Sequence, residues 1–187
     1  MMLNPKLLKQ TVYDKTITTA TSSYTISGLD LLKDEEYDFL FILYPTNESQ
    51  TSDYKMSFNN ETTTTYATNF LGAYGSLTTA GDLTWKSLYR GYNNKIGDYW
   101  ASSVDKKKPV ILSGKLRLVD DMSSSGNKNL FVETNFEKIN HGAQASIKLV
   151  GFSTTNVNNL TSINMTQSST GQNNYGVGSR FIVKKVL

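Results

Sequence analysis

Apolar side chains in this sequence recur at every second residue, and almost nowhere at the spacing of a helix. Asp53 to Phe58 places Tyr54, Met56 and Phe58 on one side and Lys55 and Ser57 on the other, then breaks at Asn59-Asn60. Successive strand side chains point to opposite faces, so this order describes a half-buried strand and a turn. Tyr37 to Tyr44, YDFLFILY, is apolar nearly throughout and reads as a central strand. Thr16 to Leu29 alternates around Ile17, Tyr24 and Ile26 before Ser27-Gly28, and Thr62 to Asn69 is a Thr-rich strand. Leu71 to Val104 is rich in Gly and aromatics with weak periodicity, which predicts a long loop with short strands. Pro109 to Val119, Leu130 to Phe136, Ala145 to Phe152, Leu160 to Met165 and Val177 to Leu187 complete the series. The sum is an all-β chain of about nine or ten strands, spaced as in a sandwich or jelly roll, with a long loop region in the middle.

At 187 residues the chain suits one domain, taken as 11–187. Residues 1–10 read as a flexible arm or a short helix, in which Leu3, Leu7 and Leu8 lie about a turn apart after Pro5. Charged residues are only 19%, while Ser, Thr and Asn make up about a third of the chain, so the polar share is neutral rather than ionic. A net charge of +3 with 11% aromatics argues for a folded domain over disorder. The bases are scattered apart from Lys106-Lys107-Lys108 and Lys184-Lys185, so no nucleic-acid partner is expected. Neither a secretory signal in Met1 to Gln10 nor a run of about 18 apolar residues is present, so membrane insertion is not expected.

The chemistry available is narrow. There is no cysteine, and His141 is the single histidine, in the turn-like Asn140-His141-Gly142. Catalytic triads and zinc sites normally need more than that, and no catalytic residue, metal ligand or cofactor is expected. Asp34-Glu35-Glu36 and Asp120-Asp121 are acidic clusters at turn positions, where carboxylates are solvated; glycosidase carboxylates must instead face each other across a cleft. Gly72 to Gly75 and Gly176-Val177-Gly178 lack the context of a phosphate loop and read as turns.

Trp85 to Trp100, WKSLYRGYNNKIGDYW, is the most suggestive stretch and holds both tryptophans. Trp85, Tyr89, Tyr92, Tyr99 and Trp100 are interleaved with Arg90, Asn93, Asn94 and Asp98. Flat rings stack on sugars or protein surfaces while amides and carboxylates supply hydrogen bonds, so these five aromatics are the first candidate contact surface. A loop covering one end of the sandwich with its rings tucked inward remains the other reading.

Thr16 to Asp30, TITTATSSYTISGLD, resembles the start of a widespread group of small bacteriophage structural proteins. The likeness continues through KDEEYDFLFILY (Lys33 to Tyr44) and YKMSFNNETTTTY (Tyr54 to Tyr66), and returns in INMTQSSTGQNNYGVGSRFIVKKVL (Ile163 to Leu187). It leaves Leu71 to Gln144 unmatched, and Val183-Lys184-Lys185 stands where the family usually ends on a tyrosine. The resemblance implies a jelly-roll-like antiparallel β-sandwich without enzymatic activity. It would be assembled in the bacterial host cytoplasm and carried on the virion as a head fibre, a capsid decoration, or a tail or receptor-binding part. The partners it implies are further copies of the chain, as a homotrimer, and other virion proteins. Leu3, Leu7 and Leu8 are the candidate particle anchor, and a host surface glycan is the candidate ligand of the aromatic stretch.

Overall fold

A computed structural model of the chain describes residues 8–32, 35–46, 52–59, 66–74, 84–92, 95–99, 109–120, 128–140, 143–153, 159–168 and 174–187. Twelve strands lie among them: β1 (Lys9–Thr16), β2 (Ser23–Leu31), β3 (Glu36–Leu43), β4 (Ser52–Phe58), β5 (Tyr66–Tyr74), β6 (Thr84–Tyr92), β7 (Lys95–Tyr99), β8 (Val110–Asp120), β9 (Lys128–Asn140), β10 (Ala143–Ser153), β11 (Leu160–Ser168) and β12 (Arg180–Val186). Every pairing is antiparallel.

The large sheet runs β1-β12-β3-β8-β9-β10-β5-β6 and the small one β2-β11-β4-β7. Eight strands make the frame. The chain passes between β1-β12-β3-β8 and β2-β11-β4-β7 in the order of a jelly roll, in which each sheet takes its strands from both ends of the sequence. The other four arrive as β5-β6 and β9-β10, and β5 pairs with β10, so both insertions extend the same sheet.

Alternation decides which side chains meet in the middle. β3 contributes Tyr37, Phe39, Phe41 and Leu43, β12 contributes Phe181 and Val183, and β8 contributes Val110, Leu112, Leu116 and Leu118. Opposite them lie Ile26, Leu29 and Leu31 of β2, Leu160, Ile163 and Met165 of β11, and Tyr54, Met56 and Phe58 of β4. Each such side chain contributes roughly 1.5–3 kcal/mol when fully withdrawn from water. The Phe181 ring stacks on Tyr24 at 4.3 Å and 9° and meets the edge of Tyr175 at 5.7 Å.

Three expectations change in detail. Thr16 to Leu29 is divided: β1 ends at Thr16, β2 begins at Ser23, and Ile17 in the connector is itself buried. Lys9 and Gln10, expected in the arm, belong to β1. That strand has only Val12 and Tyr13 as apolar residues, and a register shift between Thr11 and Tyr13 breaks the alternation that would have marked it. The middle holds β6 and β7 and much of β5, with a further shift between Phe70 and Gly72 hiding the period.

One end of the sandwich is sewn by the segment before β12. Tyr175 exchanges backbone hydrogen bonds with Thr21 at 2.8 and 3.1 Å, and Ile17 N–H donates to Ser179 O at 2.9 Å. On the other side Gly176 N–H donates to Tyr44 O, and Tyr44 N–H donates to Ser179 Oγ at 2.9 Å. A Cβ on Gly176 would stand 2.9 Å from that Tyr44 oxygen, so only glycine permits the approach. Gly176-Val177-Gly178 is thus a structural turn, as its sequence suggests.

The end of β4 depends on Asn59, whose φ of 53° lies in the left-handed region. Asparagine tolerates that conformation better than other side chains. Its Oδ1 accepts from Thr161 N–H at 2.8 Å and Ser162 N–H at 3.3 Å, and its Nδ2 donates to Asn159 O at 2.8 Å. Asn159 Nδ2 then donates to Asp30 Oδ1 at 2.8 Å, carrying the tie on to β2. At about 1 kcal/mol per net hydrogen bond, Asn59→Gly should cost roughly 1–3 kcal/mol. Asn59→Ala, which adds backbone strain, should cost about 1 kcal/mol more. Urea unfolding of the two variants checks the order; equal losses would remove the backbone part of the explanation.

Candidate interaction surface

The inward positions of the frame strands leave a second set facing out. On β3 these are Glu36, Asp38, Leu40 and Ile42; on β12 Arg180, Ile182, Lys184 and Val186; on β8 Ile111, Ser113, Lys115 and Arg117. Register aligns them into rows. Leu40 stands between Ile182 and Ser113, Ile42 between Arg180 and Ile111, Asp38 between Lys184 and Lys115, and Glu36 between Val186 and Arg117. Ile111, Ile42, Leu40 and Ile182 therefore form an aliphatic block with charges at both ends.

The charges are organised. Lys115 Nζ lies 2.6 Å from Glu36 Oε1 and 3.9 Å from Asp38 Oδ1, and Arg117 Nε lies 3.6 Å from Glu36 Oε2. Lys9 reaches from β1 to pair with Asp38 on β3, although β12 lies between those strands. The Glu36 carboxylate beside Lys115 raises that amine above its ordinary value. At the other end Arg180 grips Asp14 with two parallel bonds, Nε to Oδ1 at 2.8 Å and Nη2 to Oδ2 at 2.6 Å. Lys184 lies near enough to Asp14 to help Arg180 hold that carboxyl low. Lys9, Asp38, Phe39, Leu40, Ile182 and Lys184 line a shallow concavity of about 190 Å³, in which Leu40 is 37% exposed.

The outer face of the small sheet is different in kind. β2 shows Ser23, Thr25, Ser27 and Asp30, β11 shows Thr161, Asn164 and Thr166, and β4 shows Lys55 and Ser57. No aliphatic residue is among them. Among the described side chains, the face of the small sheet is polar, and the face of the large sheet sets an aliphatic block among charged groups.

The aromatic residues expected to make a contact surface fall on two edge strands. Trp85, Tyr89 and Tyr92 lie on β6, the last strand of the large sheet, at register positions opposite Ala73, Phe70 and Ala67. Tyr99 lies opposite Ser52 on β7, the last strand of the small sheet, and Trp100 is outside the described residues. Leu8 is exposed just before β1, where its carbonyl accepts the Leu187 N–H at 2.9 Å; Leu3 and Leu7 are outside the described residues. So are His141, the lysines at 106–108, Asp34 and Asp121.

Glu35 and Glu36, read as a solvated acidic turn, are instead engaged with Lys185 at 2.6 Å and Lys115. Burial pulls the Glu35 carboxyl up, but the Leu32 N–H and the Lys185 amine outweigh it and hold the group low. No group of three or more potential metal ligands occurs among the described residues. No helix among them is long and apolar enough to cross a membrane.

The outer face of the large sheet was not among the sequence candidates. Its signal was the apolar run YDFLFILY itself. A strand solvated on one face would have polar residues at Leu40 and Ile42, and their aliphatic identity was absorbed into the reading of a central strand. No protein-family model matches the chain, and no curated protein matches it.

The Asp14–Arg180 fork fastens β1 to β12 and gives the surface a pH dependence. The Arg180 hydrogen bonds hold the Asp14 carboxyl below its ordinary value of 3.8. A lowered folded value means that the contribution is present above the ordinary value and is lost as pH falls through the folded one. Denaturant unfolding at pH 7 and pH 3 should therefore differ less in Asp14→Asn than in the wild type. Equal differences would mean that the fork adds nothing to stability.

Proposed function

We propose that the chain is a non-enzymatic structural component of a bacteriophage particle, an oligomeric β-sandwich carried on the capsid or tail as an accessory part. The jelly-roll strand order carries this reading, since viral capsid domains are among the recurrent uses of that order. The likeness of Thr16–Asp30, Lys33–Tyr44 and Ile163–Leu187 to small phage structural proteins supports it from the sequence. The unlike outer faces fit a subunit that turns a Ser/Thr/Asn face to water and an aliphatic, charged face to a neighbour. Its partners are then copies of itself, as a homotrimer, and other virion proteins, with Leu3, Leu7 and Leu8 as the anchoring group. Mass spectrometry of purified particles should find the chain at stoichiometric levels, and sedimentation of the purified protein should give a trimer mass. A strict monomer at high micromolar concentration, absent from particles, would sink the proposal.

A receptor- or glycan-binding role is the second reading, favoured by the clustering of aromatics on β6 and β7, edge strands joined through Asn93-Asn94 alone. Extended partners can add at a sheet edge, and aromatic rings can stack on flat apolar faces. If a glycan array finds a ligand, Trp85→Ala and Tyr92→Ala should each weaken binding by about 1 kcal/mol or more. Unchanged binding in both variants assigns these rings to packing.

A further inference from the structure

We propose that residues 1–7 fold back over the outer face of their own large sheet and seat Leu3 in the concavity at Leu40 and Ile182. The inference goes beyond the reading above and does not depend on it. Residues 1–7 lie outside the described residues, and their sequence, Met1-Met2-Leu3-Asn4-Pro5-Lys6-Leu7, alternates. Met1, Leu3, Pro5 and Leu7 take every second position, with Met2, Asn4 and Lys6 between them. Extended, such a segment has one apolar side and one mainly polar side, the pattern of a chain laid on an apolar face. Pro5 has no backbone N–H to give to a ladder, so the segment suits a path across the face better than a continuation of β1 within the sheet.

The aliphatic block lies within reach of the segment. Lys9, two residues after Leu7, is itself a wall of the concavity, and its side chain crosses β12 to pair with Asp38. Lys9 stands opposite Val186 and Val186 opposite Glu36, which puts Ile182 and Leu40 four residues further along β12 and β3. At about 3.3 Å per residue and about 4.8 Å between strands, Ile182 lies roughly 14 Å and Leu40 roughly 16 Å from Lys9. The chain from Leu3 to Lys9 spans about 20 Å when extended, enough for that path with a reversal before Lys9. About 190 Å³ is ample for one branched aliphatic side chain, since an apolar cavity of about 150 Å³ accepts benzene. A segment tethered so closely is present at an effective concentration of about millimolar, so the same segment of a second copy competes poorly at micromolar protein. In that position Leu3 and Leu7 are withheld from other surfaces, and the aliphatic block from a neighbour, until the segment is displaced.

The chain has no cysteine, so disulfide trapping in the full chain tests the docking without interference. At low micromolar protein under mild oxidation, Leu3→Cys/Ile182→Cys should close an intramolecular disulfide at least tenfold faster than Leu3→Cys/Thr25→Cys. In the second pair the partner thiol sits on the exposed outer face of the small sheet. Leu3→Cys/Leu40→Cys repeats the test from β3, and melts of the reduced proteins at the wild-type temperature establish that each variant is folded. Peptide mapping by mass spectrometry identifies the bond. Closure of both large-sheet pairs no faster than the Thr25 pair overturns the docking. A bond formed chiefly between chains also overturns it and assigns the segment to a second copy. Neither result bears on whether the chain is found in particles, so the docking and the virion reading fail separately.

Discussion

The two sheets are held to one another at Phe181. Its ring is fully buried, lies flat on Tyr24 of the small sheet, and meets Phe41 at 5.2 Å and Tyr175 at 5.7 Å. Tyr24 in turn shares a hydrogen bond of 2.8 Å with Tyr13, so the stack joins β12 and its neighbour, the edge strand β1, through β2 of the small sheet. Ring pairs of this kind add about 0.5–1.5 kcal/mol each beyond the area they bury. Their larger effect is on position. With Phe181 fixed, the residues before it, Asn174 to Ser179, are held where they can bond both the β1–β2 connector and the end of β3. Burial also pushes the Tyr175 phenol far above its ordinary value, which keeps this junction uncharged.

A core fixed in this way determines which residues are left to face outward, but not what they are. With Tyr37, Phe39 and Phe41 committed inward, β3 must show Asp38, Leu40 and Ile42 to the outside. On the small sheet the equivalent positions are Ser, Thr, Asn, Asp and Lys, which satisfies water and strand geometry together. Nothing in the fold requires aliphatic groups at Leu40, Ile42, Ile111 and Ile182. A single exposed leucine is ordinary, whereas a contiguous block bordered by a cross-strand ion network is a property of the surface. Exposed ion pairs such as Lys115–Glu36 contribute little to stability, so the network is better understood as fixing which charges remain on offer.

Strand identity was legible where alternation ran unbroken: Asp53 to Phe58 and Tyr37 to Tyr44 coincide with strands. Register shifts blurred it in two places, although Leu160 to Met165 was read as a strand despite the slip at Leu160/Ser162. The shift at Thr11/Tyr13 breaks the period of β1, whose first two residues, Lys9 and Gln10, were read as arm, and the shift at Phe70/Gly72 blurs β5 and β6. Partnership was not legible at all, because pairing β1 with β12 or β5 with β10 joins residues far apart in sequence with no local trace. The candidate surface shares that difficulty. Leu40, Ile182 and Lys9 come from three strands, and only the register of β12 between β1 and β3 brings them together.

The edges of the frame bear on how such a surface would be used. An open strand edge invites pairing with another chain, and sheets blunt it with bulges, charges and covering contacts. β1 carries Lys9 and Lys15 and a register shift, and the Tyr13–Tyr24 hydroxyl pair draws it toward β2, the edge of the opposite sheet. β2 is broken in the same manner, with Gly28 at a φ of 78° where its pairing to β11 slips between Leu160 and Ser162. At this side of the sandwich both edges are irregular and clasped together, a poor template for strand addition. Among the described side chains, only the outer face of the large sheet carries an aliphatic block. The oligomer proposed above would therefore be directed away from pairing at this edge and toward the outer face of the large sheet, where specificity would rest on side chains and could change without altering the jelly roll beneath.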